Sequence, residues 1–167
     1  MISNISSQTP STIEIESNLT RALKHLRYAN RSRTLWNDAL SINQKDISER
    51  GAQVKRVGKI HSLADRVVIW IGQQSNDSTP ALSMLERFGE QVEYLVDGYY
   101  GDAPGAAEPD WWDPEVPLLY DEKIWSAIIS LFKRPWYSRI WILQEVLLAN
   151  QYTIVQCDDH FYSWLAI

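Results

Sequence analysis

The sequence is poor in the residues that build disulfide frameworks and membrane anchors. It contains one cysteine, Cys157, among 167 residues, so an internal disulfide is excluded and we expect a reducing, cytoplasmic compartment. The apolar runs are far shorter than the roughly 20 residues of a membrane-spanning helix. The first thirty residues lack the basic start and apolar run of a signal peptide. The sequence therefore predicts neither a membrane span nor export.

Signals for nucleic-acid, metal or phosphate binding are equally sparse. The net charge is −5 and the Lys and Arg residues are scattered, so no basic surface for nucleic acid is expected. The three histidines, His25, His61 and His160, have no second ligand at metal spacing, which predicts no metal site. Gly72 stands alone after an apolar run rather than in a phosphate loop. Ser41 lacks the flanking glycines of a nucleophile elbow.

What the sequence does contain is an alternation of strand-like and helix-like segments. Residues 34–42 and 66–72 are nearly continuous apolar runs, typical of strands buried on both faces, and 152–157 predict a third strand. Helical spacing begins near residues 18, 46, 78 and 124, with predicted helices reaching Leu95 and spanning Trp136–Ala149. This order predicts an α/β fold with a doubly wound, mainly parallel sheet.

The two ends and one internal segment depart from this pattern. Residues 1–11 are polar and predict an irregular terminus, with a short strand at 12–15. Residues 98–120 are rich in glycine, proline and acidic residues, which predicts a long loop. No linker divides the rest, so we expect a single domain over 12–167. The eight Trp residues suit either a core or an interface.

Polar residues near the end of the first predicted strand are the first candidate site. Asp38 would lie inside a buried strand, where a charge is costly unless it is hydrogen-bonded or placed at a site. Asn43 follows at the carboxyl end, where open parallel sheets bind ligands. The alternative is that Asp38 caps a helix or pairs with an arginine. The sequence leaves both interpretations open.

The second candidate site lies in the segment RPWYSRIWILQE, residues 134–145. On one continuous helix, Trp141 and Glu145 would lie one turn apart on the same side as Arg134. The aromatic side chain could stack on a ligand ring, and the carboxylate beside it could stabilise developing positive charge. The plainer alternative is a core Trp141 and a Glu145 that pairs with Arg139 or Arg134.

Three ordered blocks resemble the HET (heterokaryon incompatibility) domain of filamentous fungi. They are LWNDALSINQKDISERGAQVKRVGKIHSLADRVVIWIG (35–72), RPWYSRIWILQEVLLA (134–149) and TIVQCDDHFYSW (153–164). The resemblance implies an effector of self/non-self recognition that triggers cell death when incompatible hyphae fuse. It also implies a distant likeness to TIR domains, which have a flavodoxin-like fold. The expected partners are other proteins or further copies of the chain.

Some TIR domains cleave NAD, using a glutamate in a helix similar to residues 138–145. The matching position is Glu145, which would orient the nicotinamide ribose and stabilise an oxocarbenium-like centre. Asp38, Asn43 and Trp141 would line the nucleotide site. The resemblance therefore implies NAD as a candidate substrate, by an analogy of fold.

The chain departs from the family pattern at two places. The usual opening strand, which reads like ALSYxWG, has no counterpart before Ile13, and the usual cysteine before Ile-Asn-Gln is Ser41. We expect a sheet that lacks its first strand and a domain that is incomplete at both ends. Three functions stay open: a signalling domain that acts by association, an NAD glycohydrolase, and a truncated, inactive remnant.

Overall fold

The computed structural model describes residues 13–96, 98–111, 113–118, 120–139 and 142–167. Over these residues the α-helices are α1 (Ser17–Leu26), α2 (Asp38–Ser41), α3 (Ile47–Leu63), α4 (Ser78–Glu90), α5 (Glu122–Phe132) and α6 (Ile142–Leu147). The strands are β1 (Val68–Trp70), β2 (Val92–Tyr94), β3 (Tyr100–Asp102), β4 (Ile154–Cys157) and β5 (His160–Ser163). Two 3₁₀ turns cover Pro135–Ser138 and Trp164–Ala166.

The strands form two small sheets. In the larger one β1 pairs with β4 in parallel, with Ile69 opposite Val155, and β4 pairs with β5 antiparallel. Strands β2 and β3 form a separate antiparallel pair. The parallel pairing of the two apolar runs at 66–72 and 152–157 confirms the prediction of an α/β class. The β5 partner was not predicted from the sequence.

The hydrophobic core lies between the larger sheet and helices α4 and α5. Ile69 of β1 and Val155 of β4 pack there with Leu82 of α4 and Leu131 of α5, all nearly or fully buried. These helices carry their apolar residues on one face, as their helical spacing predicts. The core is therefore built from residues 67–167, and α3 contributes no buried residue to it.

The three predicted helix starts have different outcomes. Asp46 caps α3, since its carboxylate accepts the Glu49 N–H at 3.0 Å. Helix α4 begins at Ser78, as predicted, but Pro80 is its third residue rather than its first, and no side chain caps the helix. The predicted cap of α1 by Ser17 or Asn18 is wrong. That helix has no side-chain cap, and the Asn18 amide oxygen accepts the Trp70 indole N–H at 3.1 Å instead.

The predicted buried strand at residues 34–42 is wrong. Asn37 turns the chain into the short helix α2 by accepting the Ala39 N–H, and most side chains of the segment are exposed. An Asn or Asp side chain that bonds a backbone N–H two residues on favours a turn over a strand. Asp38 is therefore an exposed helix residue and not a charge within a sheet.

Two further boundaries differ from the sequence prediction. Helix α4 ends at Glu90 rather than Leu95, because the chain enters β2 at Val92. The segment 98–120 is not loop throughout: it contains β3, and Trp111 stacks on Phe88 with ring centroids 4.6 Å apart. Residues 13–16 form no strand, and residues 1–12 lie outside the described part. Across the described residues, no helix is both long and apolar enough to cross a membrane.

Candidate functional site

Arg134 lies at the centre of the densest polar cluster, at the carboxyl ends of β1 and β4. Its guanidinium donates at 2.5–3.4 Å to the carbonyl oxygens of Ile71 and Gln73, the sulfur of Cys157, and the hydroxyls of Ser75 and Ser78. The side chain thus joins the segment after β1 to the 3₁₀ turn before α6. Because both terminal nitrogens have partners, Arg134 holds the structure together rather than offering a free cation to a ligand.

The segment between β1 and α4 is held by a short network of its own. Gly72 has a φ of +103°, which a side chain would strain, so the turn after β1 requires glycine. The Ser75 hydroxyl donates to the Asp77 carboxylate at 2.5 Å. This hydrogen bond holds the pKa of Asp77 below its usual value of 3.8. The network orders the start of α4 and accounts for its polar side chains.

Glu145 forms an ion pair with Arg139, one of the two alternatives that the sequence left open for it. Its carboxylate accepts from Arg139 Nη2 at 2.9 Å, and its side chain is 18% exposed. The single helix predicted for Trp136–Ala149 is wrong, since the described residues form a 3₁₀ turn and the separate helix α6. The argument that placed Arg134 on the same helical face as Glu145 therefore fails. Trp141 lies outside the described residues, so its place one turn before Glu145 stays a prediction.

Asp38 and Asn43 are occupied by local hydrogen bonds. Asp38 accepts the Ala39 N–H at 2.8 Å, and Asn43 accepts the Lys45 N–H at 3.1 Å. Both side chains are exposed. Among the described residues no hydrogen bond or ion pair joins either of them to Glu145. Their place in a common nucleotide site with Glu145 and Trp141 stays a prediction.

His25 belongs to a cluster that sequence spacing did not predict. Its two ring nitrogens face the carboxylates of Asp158 and Asp159 at 3.0 and 2.8 Å, and its ring stacks on Trp70. The three ligand atoms lie within 4.8 Å of one another, but each ring nitrogen already has a carboxylate partner. The cluster therefore attaches α1 to the turn between β4 and β5. The only sequence signal was the Asp-Asp pair after a strand.

Exposed apolar side chains lie on α3 and beside it, and we term this group the α3 surface. Ile47 and Val54 are 79% and 45% exposed and lie two turns apart on one face. The same face carries Gly58, where an added Cβ would lie 2.8 Å from Cδ1 of the half-exposed Leu148. It ends at His61, against which the exposed Trp36 packs edge-on. We define the α3 surface as Trp36, Ile47, Val54 and Leu148.

Comparison with known proteins identifies relatives of this chain. The sequence model of the family described as "Heterokaryon incompatibility protein (HET)" matches residues 2–145. A relative in Neurospora crassa, "Heterokaryon incompatibility protein 6, OR allele", is 30% identical over 171 aligned positions, which cover 87% of this chain and 24% of the relative. The chain thus spans about a quarter of that relative's length.

No solved structure matches the chain with significant similarity. The family match covers well over half of the residues, including the blocks at 35–72 and the first part of 134–149. The sequence resemblance is thereby confirmed. The chain belongs to the heterokaryon incompatibility (HET) family of fungal proteins.

Proposed function

We propose that this chain is an effector or signalling domain of fungal incompatibility that acts in the cytoplasm through protein association and promotes cell death. The observation that carries the proposal is the α3 surface. The 17-residue helix α3 buries none of its residues and leaves Ile47 and Val54 exposed to water. Exposed apolar area that forms a patch is typical of interaction sites. Family membership supports the biological setting.

The fold proposed with this function is a single domain with a flavodoxin/TIR-like, doubly wound sheet that lacks its first strand. The parallel pairing of β1 and β4, with α4 and α5 between them in the chain, supports it. A parallel pair joined through helices is the unit from which doubly wound sheets are built. The antiparallel strand β5 would then form one edge of that sheet.

A second candidate function is NAD cleavage with Glu145 as the catalytic carboxylate. The partial burial of Glu145 favours it, because a shielded carboxylate stabilises developing positive charge better than one in bulk water. Asp38, Asn43 and Trp141 would belong to the nucleotide site in this case. The ion pair with Arg139 would have to open for substrate to enter. An inactive remnant is the third possibility.

One experiment separates these functions. The chain is induced in a filamentous-fungal host, and dead hyphal compartments and cellular NAD are measured together. The test variants are the double substitution Ile47→Ser/Val54→Ser on the α3 surface and, separately, Glu145→Gln. The matched control is Lys55→Ser/Lys59→Ser, which changes two exposed residues on another side of α3. Circular dichroism verifies that each protein folds.

Association predicts that the Ile47/Val54 variant loses most of the cell death, whereas the lysine control and Glu145→Gln keep it, with NAD unchanged. NAD cleavage predicts that NAD falls with the parent chain and not with Glu145→Gln, which removes charge but keeps shape. If the folded parent chain neither kills hyphae nor lowers NAD, both functions are excluded for the chain by itself and the remnant interpretation stands.

A further inference from the structure

β1 has the composition of an interior strand, but among the residues that the structure describes it pairs on one side only. The run RVVIWIG places five apolar residues in succession, and Ile69 and Ile71 are 3% and 4% exposed while Val68 and Trp70 are half-buried. Strands covered on both faces usually lie inside a parallel sheet. Yet the sheet order is β1-β4-β5, so β1 is at its edge.

The free side of β1 presents unpaired backbone groups. Val67 and Ile71 face β4. The Ile154 N–H donates to the Val67 carbonyl oxygen, and the Ile71 N–H donates to the Gln156 carbonyl oxygen. Backbone groups alternate in direction along a strand, so those of Val68 and Trp70 point away from β4. Nothing in the described part of the chain hydrogen-bonds to these outward groups.

The opposite edge of the sheet differs in character. By the same alternation, Phe161 and Ser163 of β5 point their backbone groups outward, because Trp164 N–H bonds to Thr153 O. Their side chains are exposed, and only Tyr162 between them is buried. Such a pattern is that of an edge strand that faces water. Both edges thus have outward backbone groups, but they differ in their side chains. Phe161 at the β5 edge is 69% exposed, whereas the β1 residues are buried or half-buried, as in an interior strand.

We propose that the free edge of β1 binds the β1 strand of a second copy of this chain, antiparallel, and so joins two sheets into one. In the register centred on Ile69, Val68 of each copy lies opposite Trp70 of the other. Both outward N–H groups of each copy then meet outward carbonyl oxygens, as in a hydrogen-bonded antiparallel pair. A two-fold axis through Ile69 makes this interface self-complementary.

The flanking residues are compatible with this register. Val67 lies opposite Ile71 of the second copy, which is an apolar cross-strand pair. Arg66 lies opposite Gly72, and Asp65 opposite Gln73, so no like charges meet across the pair. Parallel self-pairing would stagger the two β1 strands by one residue, because each outward residue would bond to the residues on either side of its partner. The two copies would then not be equivalent, so antiparallel pairing is the arrangement that gives a two-fold symmetric dimer.

The size of the contact sets its expected strength. Five residues from each copy bury far less than the roughly 1,200 Å² of a stable interface. We therefore expect a weak, concentration-dependent dimer rather than a permanent one. This inference is independent of the α3 surface, since it depends on the β1 backbone and not on Ile47 or Val54. It deepens the proposed association by naming a partner, a second copy.

The test combines sedimentation velocity with amide exchange on the full chain, from about 10 µM to about 1 mM, the range in which contacts of this size dissociate. Val68→Pro removes one outward N–H without touching the β4 ladder, because proline is tolerated at edge positions. Ser163→Pro is the matched control: it removes an outward N–H at the β5 edge, where φ is already −66°.

We expect Val68→Pro to weaken dimerisation by roughly tenfold or more and Ser163→Pro to leave it unchanged. In the parent chain, exchange of the Val68 and Trp70 amides should slow as the protein concentration rises. This measurement needs no variant and so does not depend on whether a variant folds. A chain that stays monomeric at every concentration overturns the proposal. The proposal is also overturned if the folded Val68→Pro variant still dimerises and the Val68 and Trp70 amides of the parent chain exchange fast at every concentration. That result would leave the proposed association through the α3 surface unaffected.

Discussion

At the scale of single residues, the Tyr137 hydroxyl is a buried polar group that has no hydrogen-bond partner among the described residues. An unpartnered buried hydroxyl costs free energy that its removal recovers. We expect Tyr137→Phe to leave the free energy of unfolding unchanged or to raise it by about 1 kcal/mol. Tyr120→Phe is the matched control, since the Tyr120 hydroxyl donates to Glu108 and its loss should destabilise the fold.

The same substitution has a pH signature. Burial raises the pKa of Tyr137 above its ordinary value of 10.0. A raised pKa in the folded state means that the stability which the neutral phenol provides is complete below pH 10.0 and is lost as the pH rises through the folded pKa. Urea unfolding between about pH 9 and pH 11 should show less alkaline destabilisation in Tyr137→Phe than in the parent. Equal pH profiles would contradict the assignment.

At the scale of elements, two glycines in helices respond in opposite directions. A Cβ at Gly89 of α4 would lie 2.3 Å from the backbone oxygen of Ala166 in the last 3₁₀ turn, whereas a Cβ at Gly51 of α3 meets nothing within 4 Å. We expect Gly89→Ala to lower the unfolding free energy by about 1–3 kcal/mol and Gly51→Ala to raise it by up to about 1 kcal/mol. Thermal unfolding of both variants measures the difference.

If Gly89→Ala proves neutral, α4 and the 3₁₀ turn at Trp164–Ala166 are not in the contact described here. The pair thus tests element placement and not helix propensity alone, because both substitutions replace a helical glycine by alanine.

The wrong prediction of a strand at residues 34–42 also has its explanation at the scale of elements. The apolar composition of this segment predicted a strand, but Asn37 satisfies a backbone N–H locally, and no strand in the described part of the chain pairs with it.

At the scale of the whole molecule, stability is expected to be uneven. The core joins β1, β4, α4 and α5, while α3 buries no residue and α1 buries only Ala22. Elements with little buried apolar contact open at lower free energy than the core. Native-state hydrogen exchange should therefore show amides of α1 and α3 exchanging well before those of α4 and β4.

Uniform protection across all four elements would contradict that expectation and would indicate that α1 and α3 unfold only with the core. The His25 contacts to Asp158 and Asp159 give a reason for α1 to be the better protected of the two helices. The Asn150 side chain, which donates to Ala64 O at 2.7 Å, attaches only the residue that follows α3 and no residue within the helix.

The sequence by itself determined the elements whose signals are local or periodic. The apolar runs of β1 and β4, the Asp46 cap of α3, the Pro80 start of α4 and the family blocks could all be read from neighbouring residues, because capping and alternation act over a few positions. Tertiary structure alone decided the rest. The partners of Arg134 and His25, the pairing of Glu145 with Arg139 rather than Arg134, and the open edge of β1 depend on which distant segments meet, which local spacing does not encode.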